Sequence, residues 1–85
     1  MKVSVYDTYV PKNESTTMHF DILVEEDTTE EKVHQFGREY LTGKGLANFD
    51  LTAKECRYCH MEVAPGHVQK EINDKGYYII EMENC

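Results

Sequence analysis

Two stretches of strict alternation near the N-terminus constrain this chain most. Val3 and Val5 share one face of a strand from Lys2 to Val10, and Met18, Phe20, Ile22 and Val24 share one face of a second, because successive side chains of a strand point to opposite sides. Between them PKNEST supplies turn residues, so the pair reads as a β-hairpin with a longish loop. His19 and Asp21 then project away from Phe20, and Asp7 shares the face of Val3 and Val5. A carboxylate on an apolar face is costly unless it is hydrogen-bonded. The expectation is that Asp7 sits near the strand end and bonds loop backbone amides.

The next element is helical. Thr28-Thr29-Glu30-Glu31 has capping-box spacing, with Thr28 placed to accept from the amide three residues on and Glu31 to reach back. Val33, Phe36, Gly37, Tyr40 and Leu41 recur at helical spacing, and Gly43 is placed to end the helix in a left-handed conformation. Gly37 inside that stripe costs about 1 kcal/mol against Ala, which is tolerable where a missing side chain lets helix and sheet approach closely. Further on, Pro65 fits the first turn of a short helix with Val68 and Ile72 as its apolar stripe, and Gly76 can end it. The run from Tyr77 to Met82 reads as a largely buried, central strand.

Between the helices lies CRYCH, Cys56 to His60. Thr52-Ala53-Lys54-Glu55 offers a second capping box, and a helix starting there would gather Cys56, Cys59 and His60 on one side, since residues three and four apart are neighbours. A strand would instead send Cys56 and Cys59 to opposite faces, about 10 Å apart. The strand is the preferred reading, with Cys59, Met61 and Val63 on the inner face. It separates two predicted helices and lets both pack on one small sheet through right-handed crossovers.

Three chemistries attach to CRYCH. The pentapeptide matches a c-type haem attachment motif, but that attachment belongs to an export compartment and MKVSVYD shows no apolar export signal; haem is not expected. Zinc could be held by Cys56 and Cys59 with His60, His67 or Cys85 completing four ligands, although the second closely spaced ligand pair of most zinc sequences is missing. A thioredoxin-like dithiol needs Cys56 at a helix N-terminus within a βαβ scaffold, and no long strand precedes CRYC. Buried, reduced cysteines are the plainer expectation: three are too few for a disulfide framework. His34, and His19 with Asp21, are of a type that does acid–base work, but no nucleophile or phosphate-binding glycine loop accompanies them.

Composition closes off other classes. The chain has 85 residues and a formal charge of −7, enough for one domain covering residues 1–85, since a chain this short buries only about two thirds of its unfolded surface. Asp21, Glu25, Glu26, Asp27, Glu30 and Glu31 form an acidic run, read as a solvated strand end and a helix start that the helix dipole favours. A nucleic-acid partner is not expected, because basic residues are scattered among a larger number of acids. Nor is a membrane partner, because no stretch approaches the roughly twenty apolar residues of a span. The expected location is the cytoplasm.

Together YDTYV, MHFDILV, LTAKECRYCHMEVA and GYYIIEMENC resemble a family of small bacterial proteins called domain of unknown function two-thousand-twenty-four. The resemblance spans nearly the whole chain and implies a compact bacterial α+β domain. It carries no assigned activity and no functional residues. The reading is therefore an α+β fold with a small mixed sheet of about four strands, element order ββαβαβ, and two helices packed on one side. The expected function is that of a noncatalytic binding or protein-interaction module, without a cofactor, acting as a monomer or weak homo-oligomer on a protein or small-molecule partner. The alternative is a zinc-binding or thiol-redox protein centred on Cys56, Cys59, His60 and Cys85.

Overall fold

A computed structural model describes all residues from Met1 to Cys85. The elements run β1 (Lys2–Pro11), β2 (Thr17–Glu25), α1 (Glu30–Gly43), β3 (Cys56–Val63), α2 (Gly66–Lys75) and β4 (Tyr77–Glu83). The α+β class and the order ββαβαβ are those expected from the sequence. CRYCH lies in a strand, and no helix is long and apolar enough to cross a membrane.

The sheet order is β3-β1-β2-β4, and every neighbouring pair is antiparallel. This corrects the expectation of a mixed sheet joined by right-handed crossovers: β3 pairs with β1 and β4 with β2, one on each side of the hairpin, so no two neighbours run parallel. It also moves β4 from the expected central position to an edge. The apolar run of β4 is covered only at its start, where Tyr77 is buried, and Ile80 and Met82 are exposed.

The hairpin register explains a second correction, to the helices. Pairs such as Val5↔Leu23, Asp7↔Asp21 and Tyr9↔His19 join residues of equal parity, so Val3 and Val5 share a face with Leu23 and not with Phe20. Each face of the sheet thus carries its own apolar set and needs its own cover. On the first face, α1 packs Val33 and Leu41 against Val10, Met18, Phe20, Ile22 and Val24. On the second, α2 packs Val68 and Ile72 against Val3, Val5 and Leu23. The helices therefore sit on opposite sides of the sheet, not on one.

Local signals shift by a residue or two. The N-cap of α1 is Thr29, whose side chain accepts from the Lys32 amide, rather than Thr28. Helix α1 ends at Lys44 in an ordinary conformation, and the left-handed glycine is Gly45, at φ +82°, rather than Gly43. Gly37 does admit a close approach, but chiefly of the loop residue Leu51, with which a Cβ there would collide, and only secondarily of Ile22 in the sheet. Gly76 closes α2 in the left-handed region at φ +96°, its amide donating to the Ile72 carbonyl. At Thr52-Glu55 only half of the box forms: the Thr52 amide donates to the Glu55 carboxylate, but the Thr52 hydroxyl accepts from the Lys54 amide, and the segment closes a turn from which the chain enters β3 instead of a helix.

Candidate functional site

The second sheet face is divided. Its β1–β2 rows under α2 are apolar, Val3 and Val5 with Leu23. The next rows are Asp7 opposite Asp21 and Tyr9 opposite His19, and the hydrophobic core under α2 includes none of these four. Asp7 is thus in the middle of β1, paired on both sides, and its carboxylate faces other side chains. That replaces the expectation of a strand-end aspartate bonded to loop amides.

Three of these side chains converge. His19 Nε2 lies 3.4 Å from Asp7 Oδ1 and 3.9 Å from Asp21 Oδ1, and the three ligating atoms all fall within 4.8 Å of one another. Tyr9 stacks on the His19 ring, centroids 4.2 Å apart and planes 11° off parallel, which limits the orientations open to the imidazole. The Asp21 side chain keeps only 9% of its accessible surface, and its Oδ1 is buried without a hydrogen-bond partner. An unsatisfied buried acceptor is expensive, and an unsatisfied carboxylate oxygen more so.

Electrostatics separates the two carboxyls. Burial, then a hydrogen bond with Asp7 and the charge of Asp7, pushes the Asp21 carboxyl up to about 6. The hydrogen bond with Asp21, followed by the bond and charge of His19, holds Asp7 below the usual carboxylate range. Two like charges at this separation resist ionising together, so Asp21 gives up its proton only at a higher pH than an ordinary carboxyl.

The segment singled out in the sequence lies around this cluster without converging. Cys56 is fully buried on the first face, in the α1 core. Register slips between Val5 and Tyr6, where His60 and Tyr58 are their respective partners and Cys59 is the extra residue. This bulge upsets simple alternation: Cys59 is exposed, and Met61 and Val63 are 40% and 74% exposed, so none of the three faces inward as expected. The Cys59 thiol is raised by desolvation and then by the charges of Asp7 and Asp21. His60 Nε2 lies 2.7 Å from Glu62, Cys85 Sγ donates to the His19 carbonyl, and His67 packs edge-on against Tyr78. Elsewhere, His34 lies 3.7 Å from Glu30 on α1.

Sequence reasoning found His19 and Asp21 but not Asp7 as their partner. The available signal was parity: a loop pairing Pro11 with Thr17 sets Asp7 opposite Asp21.

The model of the family described as Domain of unknown function (DUF2024) matches residues 1–82. The chain belongs to this family. The NMR structure of protein NE1680 from Nitrosomonas europaea superimposes on this member of the family with a TM-score of 0.86, at 38% identity over 100% of this chain and 99% of that one. No curated protein matches.

Proposed function

We propose that this chain is a noncatalytic binding module whose ligand surface is the polar half of the second sheet face, formed by Asp7, Tyr9, His19 and Asp21, and that the ligand is a small cation. One observation carries the reading: a carboxylate oxygen of Asp21, buried and without a hydrogen-bond partner, faces a second carboxylate and an imidazole. Only His19 lies at ion-pair distance from these carboxylates, and no lysine or arginine does, so a small cation is what such an arrangement would take.

The surroundings favour binding over catalysis. A depression of about 250 Å³ beside the cluster is lined by Asp7, Tyr9, Lys54, Glu55 and Arg57, none of them a serine, threonine or cysteine nucleophile. Burial raises the Cys56 thiol, and desolvation with nearby carboxylates raises that of Cys59, so neither is activated as a thiolate nucleophile. The three free thiols fit the reducing cytoplasm.

The test is a ¹⁵N–¹H spectrum of labelled protein titrated separately with zinc chloride and with a small aliphatic diamine. Shifts centred on the amides of Asp7, Tyr9, His19 and Asp21 with either ligand support the reading. A spectrum unmoved there by both sinks it.

A second reading, a protein partner on β3, is favoured by the exposure of Tyr58, Met61 and Val63 along that edge strand. The bulge at Cys59 and the charges of Arg57 and Glu62 blunt the edge as natural sheets often do, which places this reading second. Sedimentation of wild type against Val63→Glu tests the homo-oligomeric form of it: only a concentration-dependent dimer abolished by the substitution would support an edge contact between copies.

A further inference from the structure

We infer that Asp7, His19 and Asp21 hold one divalent transition-metal ion of the zinc class, a deepening that rests on the binding surface proposed above. The three ligands come from two paired strands, not from the Cys56-x-x-Cys59-His60 segment that looked like half a zinc site.

Bonds of about 2.0–2.2 Å at tetrahedral angles place neighbouring donor atoms about 3.3–3.6 Å apart. The His19 Nε2 to Asp7 Oδ1 and Asp21 Oδ1 distances, 3.4 and 3.9 Å, approach this before any side-chain rotation. Asp7 and Asp21 are directly opposed in an antiparallel pair, and Tyr9 stacked on His19 supports the third ligand. Rigid elements with a packed supporting shell are what hold a metal site together.

The second, independent observation is the orphaned oxygen. Asp21 Oδ1 is buried without a partner, on a side chain with 9% of its surface accessible, and it points toward His19 Nε2. Solvated surface acids show no such atom. Either a proton held between the carboxyls or a cation would satisfy it, and the imidazole favours the cation, since neutral imidazole is a metal ligand in its own right.

Donor chemistry then selects the ion. Calcium and magnesium take oxygen donors almost exclusively, whereas an imidazole nitrogen with two carboxylate oxygens suits zinc and its first-row neighbours. Two carboxylates balance the charge of a dication. Three protein ligands leave a fourth position for water or for a donor from a partner, as in open zinc sites. The thiol of Cys59 is outside the converging group.

The experiment uses full-length protein stripped with chelator and dialysed. Zinc binding is measured by calorimetry and cobalt binding by visible absorption, for wild type, Asp21→Asn, His19→Gln and Cys59→Ala, with thermal melts to confirm folding. One ion per chain is expected, with affinity lowered at least about tenfold in both Asp21→Asn and His19→Gln, unchanged in Cys59→Ala, and no thiolate-to-cobalt charge-transfer band. The inference is overturned by no binding, by wild-type affinity in a folded Asp21→Asn or His19→Gln variant, or by loss on Cys59→Ala. Should zinc fail while the diamine still shifts Asp7, His19 and Asp21, the metal falls and the binding surface stands. Should both fail, both fall. Because Asp21→Asn is nearly isosteric and His19→Gln alters a partly exposed side chain, a folding defect in one leaves the other to decide.

Discussion

The two halves of the second sheet face are made by the same hairpin, on the same side, one row apart. Val5 opposite Leu23 lies under α2 and is buried, while Asp7 opposite Asp21 lies in the next row, outside the apolar cluster that α2 covers. In the first half, burial of apolar surface stabilises the fold at about 25 cal/mol per Å². In the second, Asp21 is nearly as buried as Leu23, yet its burial opposes folding because its charge and one oxygen go unmatched. Equal burial with opposite energetic sign marks the polar half as built for something other than stability.

The largest test of this contrast is Leu23→Ala. Leu23 is 2% exposed among Val3, Val5, Val68 and Ile72, and truncation there should cost about 2–4 kcal/mol by the lost transfer energy and the cavity left behind. Urea unfolding followed by circular dichroism measures it. A loss below about 1 kcal/mol would mean that α2 does not clamp this half, and the comparison would break at its firmer end.

How far this division could be read from sequence follows from its causes. Alternation in Val3, Val5 and in Met18 to Val24 is local, and so are the apolar stripe of α1 and the Gly76 stop; these placed the elements. Side assignment is not local. It depends on hairpin register, set by the loop between Pro11 and Thr17, and an equal-parity register both puts Val5 with Leu23 and puts Asp7 against Asp21 and His19. One further residue in that loop would have sent Phe20 to the side of Val5. The bulge at Cys59 is equally silent, since it arises from fitting β3 to β1, and it defeated the prediction that Met61 and Val63 face inward. His19 and Asp21 were legible as a pair only because they are two apart on one strand.

The polar half answers to pH where the apolar half does not. An acid whose folded-state value is raised, here from 3.8 to about 6 for Asp21, binds its proton more tightly in the folded than in the unfolded chain. Its contribution to stability is therefore present at low pH and is lost as pH rises from about 4 to about 6. A shift of about two units corresponds to at most about 3 kcal/mol, and screening at a partly open site reduces this to about 1–2 kcal/mol. In chelator, wild type should be more stable at pH 5 than at pH 7, and Asp21→Asn should be more stable than wild type at pH 7 by about that amount, with the pH dependence between 5 and 7 flattened. The depressed Asp7 acts in the opposite sense, but only below its ordinary range. Denaturation midpoints at the two pH values decide, and a variant less stable than wild type at pH 7 would show Asp21 to be satisfied after all.

A smaller effect is expected from His19→Ala, which removes the stack with Tyr9 and the bond to Asp7. Cross-strand pairs of this type contribute about 0.2–1 kcal/mol, so metal-free protein should lose about that much at pH 7. The value of the measurement lies in its contrast with zinc binding, which the same side chain should affect far more strongly. Equal small losses in both would make His19 a packing residue.

The smallest expected effect tests where the polar half ends. His60 Nε2 lies closer to its carboxylate than His19 does to either of its own, 2.7 Å from Glu62 against 3.4 and 3.9 Å. Distance alone would rank His60–Glu62 as the stronger pair. Both partners are about half exposed, however, and water competes for each, so such pairs contribute about 0–1 kcal/mol. His60→Ala should leave the unfolding midpoint within about 0.5 kcal/mol of wild type and leave zinc affinity unchanged. A larger stability loss, or a drop in metal affinity, would extend the site across β1 into β3 and make the CRYCH segment part of it. An unchanged protein would confine the site to the β1–β2 hairpin, where burial and not proximity sets the energy of a polar contact.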